Sequence, residues 1–500
     1  MPNQRWAELE SIKQPFMNRA EKYANWTLPY VFPYAGYTGQ IELDNDWDSV
    51  GAQAVNHLAN KIMLALFAPA RPFFRMDADD AAMIELTNKY KVDEVQIKLM
   101  FSRAETEAMR RLVKKSGRTA LGQLTKQLII TGNGMLHIPE GRKAQAISLR
   151  DYCVSRDLYG NVTEILIKEA IAFGKLPQDA QDNMAALGNG RLPTDAVDLF
   201  TWVRLQLDGQ YLVTQYADDQ ELTNVDTRGV YRKENLPWIP VTWNLTRGCD
   251  YGTGHVEDYS GEFHTIDILN QSMVEGAAVA AELKFLVDPN GVADVEELNN
   301  AEQGDYVWGK ETDVSAMSVD KQADWNMLGA IIAKAESRIG RGFLMNSSVT
   351  RDAERVTAEE IRIQAMELET ALGGVYSHLA EELQTPVAWN VLAELNLDKL
   401  QGVEPMITTG MDSLSRGSEH EQFMLWMQDL SILNNIPEDV RAIMKVDGAM
   451  TKMATGRGVK FEDVVKSAEQ IQADQQQAMA QQKQMMQDEA QAKQQSQLPV

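Results

Sequence analysis

Apolar residues change their spacing several times along the chain, and each change marks a different element. Val50, Ala54, Leu58, Ile62 and Leu66 recur every four residues within SVGAQAVNHLANKIMLALFAP, 49–69. That recurrence puts them on one helical face. Long charged helices are expected over 88–130, so residues 1–135 read as mostly helical. From 135 to 245 the period drops to two, as in strands with one buried face. LQLDGQYLV, 205–213, sets Asp208-Gly209 between alternating runs, a strong hairpin signal. DLYGNVTEI, 157–165, predicts a second hairpin, and WIPVTWNL, 238–245, a further strand. Together they predict an antiparallel β-rich subdomain.

Helical spacing returns at 257–285, where Ile266, Leu269, Met273, Ala277 and Ala280 form one stripe. GAAVAA, 276–281, is rich in small residues that let helices approach closely. A second helix is predicted over about 322–344, with Trp325, Leu328, Ile331 and Ile332 on its apolar side. Lys334, Arg338 and Arg341 follow at steps of four and three and share one face. Between the two helices, Asp288-Pro289-Asn290-Gly291 is a turn by its chemistry. Residues 286–320 carry nine acids (Asp288, Asp294, Glu296, Glu297, Glu302, Asp305, Glu311, Asp313, Asp320) against one base, Lys310. A small α/β insertion of net charge −8 is expected there.

LMNSSVTRDAE, 344–354, reads as a polar loop leading into RVTAEEIRIQAMELETALGGVYSHL, 355–379. Thr357 and Glu360 have the spacing of a capping box, and Val356 and Ile361 that of a hydrophobic staple. Glu359 and Glu360 suit the positive end of the helix dipole. Ile361, Ala365, Leu368, Leu372, Val375 and Leu379 form a seam that Gly373 and Gly374 interrupt. Such a pair implies close backbone approach or a bend. By periodicity alone this is a core helix. From Glu469 onward thirteen glutamines dominate, giving a long, weakly amphipathic helix or a disordered tail.

The chain has 500 residues, enough for two to four domains. Its 44% hydrophobic and 24% charged content is that of an ordinary folded protein. A net charge of −24 opposes general affinity for nucleic acid, which depends on neutralising phosphates with Lys and Arg. Arg110, Arg111, Lys114, Lys115 and Arg118 make the one dense basic patch. It reads as a solvated helix face paired with nearby acids, with a phosphate site as the alternative. Cys153 and Cys249 fit neither a disulfide framework nor metal-ligand spacing, so a reduced, cytosolic history is expected. The opening MPNQRWAELE lacks the basic-then-apolar order of a secretory leader. IMLALFAPA, 62–70, is too short to span a bilayer, so no membrane association is expected.

Signs of catalysis are missing. Gly174-Lys175 and Gly309-Lys310 lack the glycine spacing of a phosphate-binding loop, and no HExxH occurs. His255 and His264 are not at metal-ligand spacing. Paired carboxylates are too common in so acidic a chain to be informative. No catalytic residue, cofactor or metal is expected, and the sequence points to mechanics and binding.

Seven strings then occur in order: ANKIMLALFAP (59–69), KQLIITGNGMLHIPE (126–140), AIAFGKLP (170–177), GDYVWGK (304–310), KQADW (321–325), FLMNSSVTR (343–351), and RVTAEEIR with ELETALGGVYSHL (355–379). Together they resemble the portal proteins, or head-to-tail connectors, of autographivirus-type short-tailed bacteriophages. The resemblance covers roughly residues 5–440 and fades in the Gln-rich end. It implies a mainly α fold with α+β parts. A wing would take 1–256, with its antiparallel β part at 135–245. Stem helices would take 257–285 and 321–343, around a clip at 286–320. A tunnel loop (344–355), a long wing helix region (356–403) and a helical crown (404–500) would complete the chain.

The same resemblance implies a ring of twelve copies at one capsid vertex, located in the virion and assembled in the host cytoplasm. Double-stranded DNA would be packaged and ejected through it without sequence preference. The implied partners are the terminase large subunit, a tail adaptor protein, the major capsid and scaffolding proteins, and internal core proteins. Arg351 and Arg355 of the tunnel loop and Lys334, Arg338 and Arg341 of the stem are the implied channel residues. For Arg351, local pairing with Asp352 or Glu354 stays open. For the stem bases, lumen rings and pairing with a neighbouring subunit's acids both stay open, the latter preferred for at least one. Asp294, Glu296, Glu297, Asp305, Trp308 and Lys310 of the clip are the implied docking residues, Trp308 either as an anchor or packed within the clip. The runner-up function is a ring-forming cytosolic scaffold or adaptor without DNA passage.

Overall fold

Five helices open the chain: α1 (Pro2–Asn25), α2 (Val50–Leu66), α3 (Asp80–Tyr90), α4 (Glu94–Lys114) and α5 (Gly117–Thr131). A computed structural model describes residues 1–43, 47–68, 72–178, 192–222, 228–281, 284–317, 322–345, 366–398 and 402–408, with isolated positions at 181, 182, 184, 400, 424, 426–428, 448, 450 and 452. The chain divides into a unit Met1–Gly410 and a unit Met411–Val500. The second holds only the last seven described positions, so the Gln-rich end lies outside the described residues.

The predicted face of α2 is buried: Ala54, Leu58, Ile62 and Leu66 are at most 1% exposed. It packs with α5, where Leu121, Leu124, Leu128, Ile129 and Ile130 are also buried. Most of the basic cluster of 110–118 is engaged within the chain. Arg110 and Arg111 face Glu107, and Lys115 pairs with Glu394. Arg111 and Arg118 donate to the carbonyls of Glu394 and Phe67. The patch is structural, as the solvated-face reading expects in part, although its partners are as often carbonyls as acids.

The β part is antiparallel throughout. β4 (Tyr152–Arg156), β5 (Val162–Ala172), β6 (Ala196–Leu205), β7 (Tyr211–Ala217) and β8 (Gln220–Leu222) lie side by side, with β9 (Arg228–Tyr231) also on β7. Both predicted hairpins are present, turning at Gly160 (φ 86°) and Gly209 (φ 80°). A smaller sheet orders β10 (Trp238–Thr242), β2 (Asn133–His137) and β3 (Gln145–Ile147). α1 is pinned to β4 by a buried ammonium, since Lys13 Nζ donates to the carbonyls of Leu149, Arg150 and Tyr152 at 2.9–3.1 Å. Burial pushes its pKa down, and the three carbonyls with the Trp6 ring 4.7 Å away stand in for water.

Residues 252–254 look like turn material in the sequence, yet they form a tight backbone junction. Asn133 donates to the Gly252 carbonyl and accepts from its amide. At Gly132 (φ 74°) a Cβ would stand 2.3 Å from the Thr253 carbonyl carbon.

The seam of 355–379 is also modified. Its start, with the capping box, lies outside the described residues. The rest is α10 (366–372), then Gly373 and Gly374 at φ 61° and 94°, then α11 (Val375–Leu379). Nothing lies within 4 Å of a Cβ placed on either glycine, so the pair serves a left-handed break and not a close approach. A π-helical turn, Ala380–Gln384, precedes α12 (Thr385–Ala393). Pro386 has no N–H for the Glu382 carbonyl, which favours that widening. The turn aims the Glu382 carboxylate at Thr242, which donates to it from both N and Oγ1 at 3.3 Å. Leu368, Tyr376, Leu379, Leu383, Val387 and Val391 stay buried along the whole run.

Finally β13 (Val403–Ile407) pairs with β1 (Phe74–Ala78). Residues 404–407, expected in the crown, therefore belong to the first unit.

Gly132→Ala forces a Cβ into the Thr253 backbone at a positive φ. It should cost at least ~2 kcal/mol, read as a lower denaturant midpoint with unchanged m.

Candidate functional site

The most exposed architecture is a helix pair and the piece carried at its tip. α6 (His255–Asp258) is a single turn leading into α7 (Ser260–Ala281), which runs beside α9 (Gln322–Gly342). Near the base, Phe263 and Ile266 of α7 and Ile332, Ala335 and Ile339 of α9 are buried. Outward, the apolar side chains lose cover: Val274 is 52%, Val279 61% and Met327 67% exposed. Trp325 of α9 faces Gly276 of α7, its ring 3.7 Å from where a Gly276 Cβ would stand, an ordinary contact distance that does not require glycine.

Lys334, Arg338 and Arg341 all lie exposed on α9. Arg338 meets Glu262 of the same chain at 3.3 Å, and a pair this open contributes under about 1 kcal/mol. Arg341 Nε donates back to the Ser337 carbonyl at 3.3 Å. Lys334 meets no acid among the described residues. Arg351 and Arg355 lie outside the described residues.

Between the helices, β11 (Lys284–Val287) and β12 (Val314–Met317) form an antiparallel pair, and α8 (Val295–Asn300) lies between them in sequence. Asp294 caps α8 by accepting from the Glu296 amide at 2.9 Å, and Glu296 and Glu297 fill its first turn. Asp305 accepts from the Glu302 amide at 2.7 Å. Asp313 organises the turns: its Oδ2 takes the amides of Val292 (2.9 Å) and Lys310 (3.1 Å). Those amides, Lys310 foremost, hold its carboxyl below the ordinary range. In the sequence Asp313 shows only as a charge, because its partners are backbone groups brought close by folding.

This tip has almost no interior. No residue of α8 is buried, while Phe285 (62%), Leu286 (56%), Val292 (64%), Tyr306 (100%) and Trp308 (79%) stand in solvent. Trp308 is therefore not packed within its own tip. Apolar surface of this extent beside dense acid is unusual on a monomeric protein.

At the other end of the pair, α9 stops in an aromatic nest. Phe343 is fully buried against His255, Tyr259 and Phe263. His255 Nε2 lies 3.0 Å from the Gly342 carbonyl. A carbonyl only accepts, so Nε2 carries the proton. Burial pushes the His255 pKa down, and the ring is neutral at pH 7. The sequence offered no signal for this nest, since Phe343 lies far along the chain from His255, Tyr259 and Phe263. Among the described residues no group of His, Cys, Asp and Glu is placed to hold a metal ion, and no helix is long and apolar enough to cross a membrane.

With Asp313 depressed, the stability it contributes is complete above its ordinary value of 3.8 and is lost as pH falls through the lower folded value. Asp313→Ala should therefore speed hydrogen exchange at the Val292 and Lys310 amides at pH 7. In the unaltered chain the same opening should appear only below pH 3.8.

Comparison with known proteins adds the following. The family described as "Bacteriophage head to tail connecting protein" matches residues 2–464. The chain is 33% identical over 430 residues to the "Portal protein" of Escherichia phage T7, covering 83% of this chain and 79% of that one. It is 33% identical to the "Portal protein" of Enterobacteria phage SP6, covering 88% and 85%. It is 32% identical to that of Pseudomonas phage phiKMV, covering 94% and 93%. Among solved structures, the "Virion of native gene transfer agent (GTA) particle" matches at 11% identity and a TM-score of 0.36, covering 82% and 90%.

Proposed function

Because the chain belongs to the bacteriophage head to tail connecting proteins, we propose that it serves as a portal, a ring at one capsid vertex through which genome DNA is packaged and ejected. The observation that carries this is the α7/α9 pair with its tip. The pair is buried at its base and bare beyond, with Val274, Val279 and Met327 exposed. In a ring, neighbouring copies lie alongside and cover such flanks. A solitary subunit would leave those apolar flanks in water; what favours a portal over a ring-forming scaffold is the family to which the chain belongs.

Twelve copies encircle a duplex in this reading. The chain's net charge of −24 keeps the duplex from adhering to the wall. Arg351 and Arg355, beyond the end of α9, supply local phosphate contacts that retain packaged DNA. Lys334 and Arg341 line the stem or meet acids of the next copy, while Arg338 has its acid in its own chain. The tip is the docking platform for the terminase large subunit and the tail adaptor. Its acids Asp294, Glu296, Glu297 and Asp305 attract a basic partner. The exposed Trp308, beside Lys310, has the character of an anchor residue. The wing meets the capsid and scaffolding proteins, and the internal core sits above. The ring is a conduit in the virion and performs no catalysis.

Images of the purified chain should show rings with twelve-fold rotational symmetry and a central bore. A monomer, or a closed particle with no bore, overturns the reading. Arg351→Ala should leave ring assembly intact and let filled heads lose DNA during storage, measured as nuclease-sensitive DNA. Unchanged retention removes the phosphate role of Arg351.

A further inference from the structure

We propose that His57 and His255 are positioning residues, fixing the point and direction at which the chain leaves α9 towards Arg351. The inference rests on the portal reading above and assigns control of that exit to two imidazoles from separate elements.

The end of α9 is over-determined. The Met345 amide donates to the Gly340 carbonyl at 2.8 Å and the Leu344 amide to the Arg341 carbonyl at 3.2 Å. With Leu344 at φ 57°, this is a Schellman ending, which glycine usually supplies. A leucine in the left-handed region is disfavoured, and it persists when its surroundings hold it. Two more carbonyls at this end each accept a hydrogen bond from a histidine. His255 of α6 donates to Gly342, and His57 of α2 donates to Leu344, both at 3.0 Å. The neighbours of those carbonyls are gripped as well. A Cβ on Gly342 would stand 2.2 Å from Tyr259 Cζ, and Phe343 is fully buried, its ring 4.7 Å from that of His255.

The two donors come from different elements, α2 and α6. His57 belongs to a helix whose other faces fill the main core, with Ala54 and Leu58 at 0% exposure. His255 belongs to the turn from which α7 springs. The chain leaving Met345 is thereby referenced to both the core and the helix pair, so a pull on it is resisted by two bodies. The relevant property is the N–H donor, since each ring uses Nε2 on a carbonyl.

The test combines hydrogen exchange in the assembled ring with DNA retention in filled heads. His57→Phe keeps a ring of similar size and removes the donor. Exchange at the Phe343, Leu344 and Met345 amides should rise roughly five-fold, the effect of one ordinary hydrogen bond, and heads should lose DNA. His57→Gln, whose amide can donate, should restore both. Gly342→Ala presses on Tyr259 and should give the same two losses in the presence of an intact His57. Ring formation should persist in all three.

Unchanged exchange in His57→Phe overturns the clamp. Fast exchange with full retention overturns the positioning role. A failure of His57→Gln to restore either shows a packing role and overturns the donor argument. If heads built with the unaltered chain hold no DNA, the portal reading fails and takes the positioning role with it, while the exchange result still judges the clamp.

Discussion

A helix that stops within a folded protein leaves its last carbonyls without amide partners, and the way α9 meets that demand governs the rest of this molecule. Backbone turns satisfy Gly340 and Arg341, and histidines satisfy Gly342 and Leu344. Because the end is closed so firmly, the helix pair can be held at its base alone. Everything further out can then dispense with a core. Val274, Val279 and Met327 remain uncovered, and the tip beyond them is organised by Asp313 and backbone turns instead of by packing.

The same economy appears in the charges. Of the basic residues near 110–118, Arg111, Lys115 and Arg118 are engaged within the chain, on Glu107, Glu394 and the carbonyls of Glu394 and Phe67. Lys13 is consumed on three carbonyls of another segment. Cations used as internal braces leave the surplus acid on the surface, so the outward face of an already acidic chain is more acidic still. A duplex near such a surface is repelled except where an arginine is presented to it.

Local chemistry was legible in the sequence and distant pairing was not. The α2 face, both hairpins and the helix pair with its acidic α/β tip follow from period and turn chemistry at single segments. The glycine pair at 373–374 was recognised as a disturbance, but its two explanations differ only in φ, which periodicity does not report. The β1–β13 pairing was missed because each strand is five residues long and its partner lies in the opposite half of the chain. The nest around Phe343 was missed for a related reason, since Phe343 meets His255, Tyr259 and Phe263 only after folding. Arg351 and Arg355 were named from resemblance alone, and no local pattern would have singled them out.

The late arrival of β13 bears on how the chain is made. Ala78 waits for Val403, 325 positions downstream. At ordinary ribosomal speeds of about 5–20 residues per second, that wait is roughly 16–65 s. During that time β1, with the apolar Phe74 and Met76, has an open edge of the kind that recruits foreign strands. In a host that is filling with identical nascent copies, the danger is greatest between siblings on one message, and it places a premium on early shelter by the helices beside β1.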